Sequence, residues 1–135
     1  MPSSPSSTAV GPLRILVVED ESLIRWAVAQ TLTDAGHTVL EAPDAATAFR
    51  AVSQTSEPFD VVLLDFRLPD SDDLSLVKRI REQTPASAIV MMTAFGTPQM
   101  TENAKILGVY DVVDKPFDVG VLEEVIVRAY YSKTN

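Results

Sequence analysis

Leu13-Arg14-Ile15-Leu16-Val17-Val18-Glu19-Asp20-Glu21 decides the fold. A short run rich in β-branched side chains stops abruptly in acidic residues. No polar alternation marks a solvent-facing side, so the run reads as a parallel strand covered on both faces. The pattern recurs at Phe59-Asp60-Val61-Val62-Leu63-Leu64-Asp65, again ending on a carboxylate. Ala88-Ile89-Val90-Met91-Met92 ends on Thr93, and Tyr110-Asp111-Val112-Val113-Asp114 ends on Lys115-Pro116. His37-Thr38-Val39-Leu40-Glu41 supplies one more short strand.

The stretches between these runs carry helical spacing. Ser22 to Ala35 places Ile24, Val28, Thr31 and Ala35 on one face, and Gly36 closes it. Pro43 and Asp44 open a second helix reaching about Gln54. Asp72 or Asp73 starts a third, followed by Leu74, Val77, Ile80 and Arg81. Thr97 to Leu107 is the fourth, closed by Gly108, and Asp118 to Tyr130 the fifth, with Val121, Val125 and Ala129 in register. Alternation of strand and helix at this spacing implies right-handed crossovers, hence a parallel sheet with helices on both faces.

Composition narrows the chemistry. The 135 residues match one ordinary domain, and 46% hydrophobic with 22% charged residues is globular composition. A net charge of −8 repels a phosphate backbone, so direct nucleic-acid binding by this chain is not expected. The absence of Cys excludes disulfides, Cys-ligated zinc, iron–sulfur clusters and a Cys nucleophile, and a single His excludes a multi-His metal site. No stretch approaches the roughly 18 continuous apolar residues of a membrane span. Met1 to Gly11 is Ser/Pro-rich, with neither the basic nor the apolar region of a secretory signal. The expectation is a cytoplasmic protein: a flexible tail over residues 1–12, a domain over 13–131 and a short tail over 132–135.

The chemistry lies at the strand ends. In a parallel sheet all carboxyl ends share one edge, where doubly wound folds bind ligands. That edge would gather Glu19, Asp20, Asp65, Thr93 and Lys115. Clustered carboxylates raise one another's pKa, and a divalent cation removes the conflict. Mg²⁺ takes hard oxygen ligands, so Asp20 and Asp65 suit direct ligation, Glu19 ligation through water, and the Arg67 backbone carbonyl completes the set. With the Lys115 ammonium and the Thr93 hydroxyl, this is a receptor for a phosphoryl group beside a carboxylate nucleophile.

On these residues the chain resembles the receiver domain of bacterial two-component response regulators. The matching stretches are Val17-Val18-Glu19-Asp20-Glu21, Leu63-Leu64-Asp65, Leu68-Pro69, Met92-Thr93-Ala94 and Lys115-Pro116-Phe117, within a similarity spanning about residues 13–130. The resemblance implies an α/β, three-layer flavodoxin-like (βα)5 fold with a parallel five-stranded sheet of order 2-1-3-4-5, the order the flavodoxin-like class is known for. It makes Asp65 the phosphoacceptor, Asp20 an acidic Mg²⁺ ligand, Glu19 the second acidic-pocket residue, Thr93 the switch hydroxyl and Lys115 the phosphate-contacting base. It implies a histidine kinase or histidine phosphotransfer protein as donor. A homodimer or downstream effector would be the receiving partner, on the face formed by helix four, strand five and helix five.

Several residues depart from that pattern. Val112 stands where many receivers have an aromatic switch residue. Tyr110, two positions earlier, falls on the same side by strand periodicity. Asp73 stands where a Gly is usual, and with Asp70 and Asp72 it is read either as helix capping or as a partner-selecting acidic patch. Arg67 and Phe95 are bulky at positions flanking the phosphoryl group, which predicts slow hydrolysis. Trp26, opposite the Ile24/Val28 face, is read either as a docking anchor for the donor or as packing against the N-terminal tail or a chance exposed aromatic. His37 reads as a turn residue far from the acidic edge, Met91, Met92 and Met100 as core or near-core, and Tyr130 and Tyr131 as helix-end packing or, alternatively, a dimer contact.

Two other functions remain open on the sequence. An aspartyl-phosphate phosphatase usually has a second Asp two residues after its nucleophile, where this chain has Arg67. A receiver-like module that signals without phosphorylation is the other. The sequence carries no output domain, so the chain either works through protein partners or is a piece of a longer regulator.

Overall fold

The computed structural model describes residues 11–94 and 96–134. In chain order the elements are β1 (Arg14–Val18), α1 (Ser22–Asp34), β2 (Thr38–Ala42), α2 (Ala45–Gln54), β3 (Val61–Asp65), α3 (Ser75–Gln83), β4 (Ala88–Thr93), α4 (Pro98–Ile106), β5 (Val109–Asp114) and α5 (Val119–Thr134). All neighbouring strands are parallel, and the sheet order is β2-β1-β3-β4-β5. The order reverses between β1 and β3, so the edge above those two strands is the crevice such sheets offer to ligands.

Strict alternation along the central strands builds two cores. Leu16, Val18, Val62, Leu64, Ile89 and Met91 face α2, α3 and α4 through Ala48, Val52, Val77, Ile80 and Ala104. Ile15, Val17, Val61, Leu63, Val90 and Met92 face α1 and α5 through Val28, Leu32, Leu122, Val125, Ile126 and Ala129. Each fully buried aliphatic side chain stabilises the fold by roughly 1.5–3 kcal/mol before chain entropy opposes it. These strands are therefore the rigid base of whatever their ends carry.

Helices α2 and α4 carry local side-chain caps at their N-termini. Asp44 accepts the Thr47 N–H at 2.7 Å to start α2, with Pro43 lying one residue before the cap rather than inside the helix. Thr97 accepts the Met100 N–H at 3.1 Å to start α4, and Pro98 occupies the first turn, where no N–H is needed. Gly36 and Gly108 close α1 and α4 at φ 99° and 103°, a conformation side chains resist.

Several sequence expectations are corrected. The buried side of α1 is Val28, Ala29 and Leu32, with Thr31 half-buried and Ala35 exposed, so the helix is rolled from its expected face. Helix α3 begins at Ser75, because the Asp73 carboxylate accepts the Ser75 N–H at 2.9 Å and holds the preceding residues out of the helix. Helix α5 runs to Thr134, past Tyr130, where Tyr131 packs edge-on against Tyr130 with ring centroids 5.8 Å apart. Tyr110 and Val112 do not share a side. The β4–β5 register slips between Ile89 and Val90, which pair with Val109 and Asp111, leaving Tyr110 as the extra residue. That bulge turns Tyr110 toward the α1/α5 core while Val112 packs on the α4 side.

The methionines fall where expected, with Met91 and Met92 buried and Met100 partly so. His37 sits in the turn before β2, buried at 8% exposure. Its Nδ1 accepts the Leu13 N–H at 3.1 Å, and its Nε2 lies 3.5 Å from Glu123. Residues 1–10, and with them most of the expected tail, lie outside the described residues.

Candidate functional site

Four strand ends meet above the switch between β1 and β3. Glu19 follows β1 and is only 1% exposed, pinned by its N–H to the Ala42 carbonyl at 3.0 Å. Its Oε2 accepts the Glu21 N–H at 3.0 Å, and its Oε1 accepts from Lys115 Nζ at 2.7 Å. Asp20 stands exposed at the rim. Asp65 ends β3 and is buried, with Oδ1 accepting the Arg67 N–H at 3.3 Å and Oδ2 lying 3.3 Å from Lys115 Nζ. Thr93 ends β4, buried, and its carbonyl accepts the Lys115 N–H at 2.8 Å. The Lys115–Pro116 peptide is cis.

Carboxylate oxygens of Glu19, Asp20 and Asp65 lie within 4.8 Å of one another. All five side chains singled out in the sequence are therefore on one edge, and Lys115 joins Glu19 and Asp65 directly. Arg67 follows in the β3–α3 loop. Phe95 lies outside the described residues.

The electrostatics follow from this crowding. Burial pushes the Asp65 carboxyl up to about 7, and the neighbouring Glu19 charge pushes it the same way; Lys115 and the Arg67 N–H only partly oppose them. Burial alone would lower the Lys115 pKa. The hydrogen bond to Glu19 and the charges of Asp65 and Glu19 outweigh it, so the ammonium is held above its ordinary value. Asp65 is thus under-compensated: one ammonium is divided between two carboxylates, with a third at the rim. A hard divalent cation fits this donor set. Exposed Asp20 leaves the pocket open to water, and buried Asp65 supplies an oxygen whose proton a metal would displace.

The β3–α3 loop is a tight turn. Leu68 and Ser71 exchange backbone hydrogen bonds, Leu68 N–H to Ser71 O at 2.8 Å and Ser71 N–H to Leu68 O at 3.2 Å, with Pro69 and Asp70 at the tip. The three loop carboxylates separate in role. Asp73 caps α3 through Ser75, Asp70 accepts the Ala45 and Ala46 N–H groups of α2, and Asp72 is exposed. Asp73 has its carboxyl held below the usual range, chiefly by the Ser75 hydroxyl. Capping thus accounts for Asp70 and Asp73.

Gly96, just after β4, lies close to the Thr93 side chain. A Cβ there would stand 2.9 Å from Thr93 Cγ2 and 3.1 Å from Asp114 Oδ1, so a larger residue would force one of these side chains to shift. Beside it an open groove of about 760 Å³ runs along α4, lined by Gly96, Thr101, Lys105, Ile106 and Asp114. On α1, Leu23 and Trp26 are exposed at 74% and 58%, an apolar pair on the outward face. The tail-packing reading of Trp26 falls on residues outside those described. Sequence reading missed Gly96 and the reach of Asp70 to α2. The first carried the signal of a lone Gly soon after a strand-ending Thr; the second carried none.

A sequence profile described as the response regulator receiver domain matches residues 15–127. Among curated proteins, the DNA-binding transcriptional regulator NtrC of Proteus hauseri is 37% identical over 115 residues, covering 85% of this chain and 24% of the relative. The response regulator protein PilR of Pseudomonas aeruginosa is 35% identical over 117 residues, covering 86% of this chain and 26% of the relative. The chain therefore spans about a quarter of these relatives' length. Among solved structures, NtrX from Brucella abortus superposes with a TM-score of 0.80 at 35% identity, over 91% of this chain and 27% of that one. A CheY-like receiver domain protein from Methanospirillum hungatei JF-1 superposes at 0.84 and 23% identity, over 92% and 98%, and speaks to the fold alone.

Proposed function

The chain belongs to the response regulator receiver domain family, and from that premise we propose that it accepts a phosphoryl group on Asp65 from a phosphohistidine of a kinase or phosphotransfer protein. The observation that carries this reading is the place of Lys115. Its Nζ lies 2.7 Å from Glu19 and 3.3 Å from Asp65, bridging residues far apart in sequence beside the exposed Asp20.

An Asp65 oxygen attacks phosphorus as the donor nitrogen–phosphorus bond breaks, and that electron pair stays on the imidazole nitrogen, which takes up a proton. Buried Asp65 needs little desolvation at that moment, and the Arg67 N–H already orients its other oxygen. Asp20, Asp65 and the Arg67 carbonyl would hold Mg²⁺, with Glu19 acting through water; bound there, it supplies positive charge opposite the phosphoryl oxygens. Lys115 then exchanges its carboxylate partners for a phosphoryl oxygen, and the Thr93 hydroxyl donates to another.

Gly96 lies close enough to Thr93 that an added Cβ would stand 2.9 Å from Thr93 Cγ2, so inward movement of Thr93 would shift the start of the β4–α4 loop and bias the α4–β5–α5 face between two states. Val112 at the usual aromatic position means that helix movement, rather than a ring flip, carries this signal. A homodimer or effector protein would read that face, and Leu23 with Trp26 on α1 would receive the donor. Catalytic turnover of phosphate esters is disfavoured by Arg67, which offers no carboxyl group as acid or base two residues after Asp65. Among the described residues no helix is long and apolar enough to cross a membrane, and a phosphohistidine donor places the work in the cytoplasm.

The test is acetyl phosphate with Mg²⁺ followed by intact-mass spectrometry. One added phosphoryl group, lost in Asp65→Asn, is expected. An unchanged mass, or equal uptake by Asp65→Asn, overturns the reading.

A further inference from the structure

In the β3–α3 loop, the Asp70 carboxylate reaches out of its own segment to α2. Its Oδ1 accepts the Ala45 N–H at 2.8 Å and its Oδ2 accepts the Ala46 N–H at 3.0 Å, both in the first turn of α2. Two N–H groups that an α-helix cannot satisfy internally are thus satisfied from another segment, 25 and 24 residues away. Asp44 satisfies Thr47 at the same helix end, so α2 has a local cap already. The second cap adds a link between the helix and the acceptor loop.

The link bears on the pocket through one peptide plane. Asp70 stands at the tip of the Leu68–Ser71 turn. The Leu68 N–H at the base of that turn is bonded to Ser71 O at 2.8 Å, and it belongs to the same planar unit as the Arg67 carbonyl. Fixing the tip to α2 fixes the turn, and fixing the turn fixes the direction of that carbonyl. On its other side the same loop is tied to Asp65 through the Arg67 N–H.

We infer that Asp70 is a positioning residue for the metal pocket: by clamping the Leu68–Ser71 turn to the first turn of α2, it holds the Arg67 carbonyl in its ligating direction. The inference rests on the reading of that carbonyl as a Mg²⁺ ligand. Coupling between two sites is reciprocal, so metal in the pocket also steadies the start of α2.

Wild type, Asp70→Ala, Asp70→Asn, Asp44→Ala and Asp72→Ala are titrated with Mg²⁺, with binding followed by calorimetry and by backbone amide resonances. Asp44→Ala removes a cap from the same helix end without touching the acceptor loop. Asp72→Ala removes the same charge from the same loop without touching α2. Loss of an outer partner of a metal ligand weakens binding about tenfold or more. Asp70→Ala is expected to weaken Mg²⁺ binding about tenfold, with Asp70→Asn between it and wild type. The Asp44 and Asp72 variants should stay within about twofold of wild type. In the wild type, Mg²⁺ should slow hydrogen exchange at Ala45 and Ala46 more than at Thr47, a readout that needs no variant to fold. Equal Mg²⁺ affinity in the Asp70→Ala and Asp44→Ala proteins, or exchange at Ala45 and Ala46 indifferent to Mg²⁺, overturns the inference and leaves phosphorylation of Asp65 untouched. A wild type that binds no Mg²⁺ at all removes the metal reading itself.

Discussion

In the absence of metal, the protein should lose stability as pH rises through neutrality, and Asp65→Asn should not share that loss. The Asp65 carboxyl titrates near 3.8 in an unfolded chain and at about 7 in the fold, raised by burial and by Glu19. Between those values the folded state holds more protons than the unfolded one, so stability falls with increasing pH, opposite to the usual salt-bridged carboxylate. Each pKa unit is worth about 1.4 kcal/mol, so the gap amounts to about 4 kcal/mol once Asp65 is ionised in both states. At pH 5 only the unfolded form is ionised, and roughly a third of that penalty is already present. The further loss between pH 5 and pH 8, the remaining two pKa units, is about 3 kcal/mol. Urea unfolding in EDTA at a series of pH values, followed by circular dichroism, measures it. Asp65→Asn should gain on wild type by about that amount across the range, and adding Mg²⁺ should close the gap by stabilising the ionised wild type. Parallel pH profiles for the two proteins would refute the assignment of Asp65 as the strained carboxylate.

Three further outcomes are expected. Lys115→Met strands buried Glu19 without its ammonium and should cost about 3 kcal/mol of stability at pH 8, measured by the same unfolding assay. Gly96→Ala forces its methyl against Thr93 and Asp114; it should lower stability by about 1–2 kcal/mol and slow phosphoryl uptake from acetyl phosphate, and wild-type behaviour on both counts would place the loop elsewhere. Arg67→Asn should shorten the life of the aspartyl phosphate by opening the site to water, read as faster decay of the added mass after the donor is removed.

The central architecture was legible because its signal is local. The β1 and β3 runs are apolar on both faces since both faces are covered, and their abrupt polar ends mark where the sheet meets solvent. Parallel alternation then dictates that Glu19, Asp20, Asp65, Thr93 and Lys115 share an edge. What stayed hidden depends on backbone irregularity or tertiary approach. A one-residue bulge in β5 moves Tyr110 to the opposite side of the sheet from Val112, and no residue type in the strand announces it. Helix α1 offers two adjacent apolar stripes, and only packing against β1, β2 and α5 selects Val28, Ala29 and Leu32. Asp72 and Asp73 both look like helix starts, but Asp73 bonds Ser75 and delays the helix to that residue. Asp70 is indistinguishable from its acidic neighbours until α2 is seen to come within 2.8 Å of it.

The most direct measurement is a crystal structure grown with Mg²⁺ and beryllium fluoride, a mimic of the phosphoryl group. The expected result is a beryllium trifluoride adduct, beryllium bonded to an Asp65 oxygen, and a metal ion bound by Asp20, Asp65 and the Arg67 carbonyl. Lys115 would then have moved from Glu19 to a fluorine, with the Thr93 hydroxyl turned toward another. A structure in which the adduct lies elsewhere, or in which no metal enters while Lys115 still bridges Glu19 and Asp65, would contradict the account.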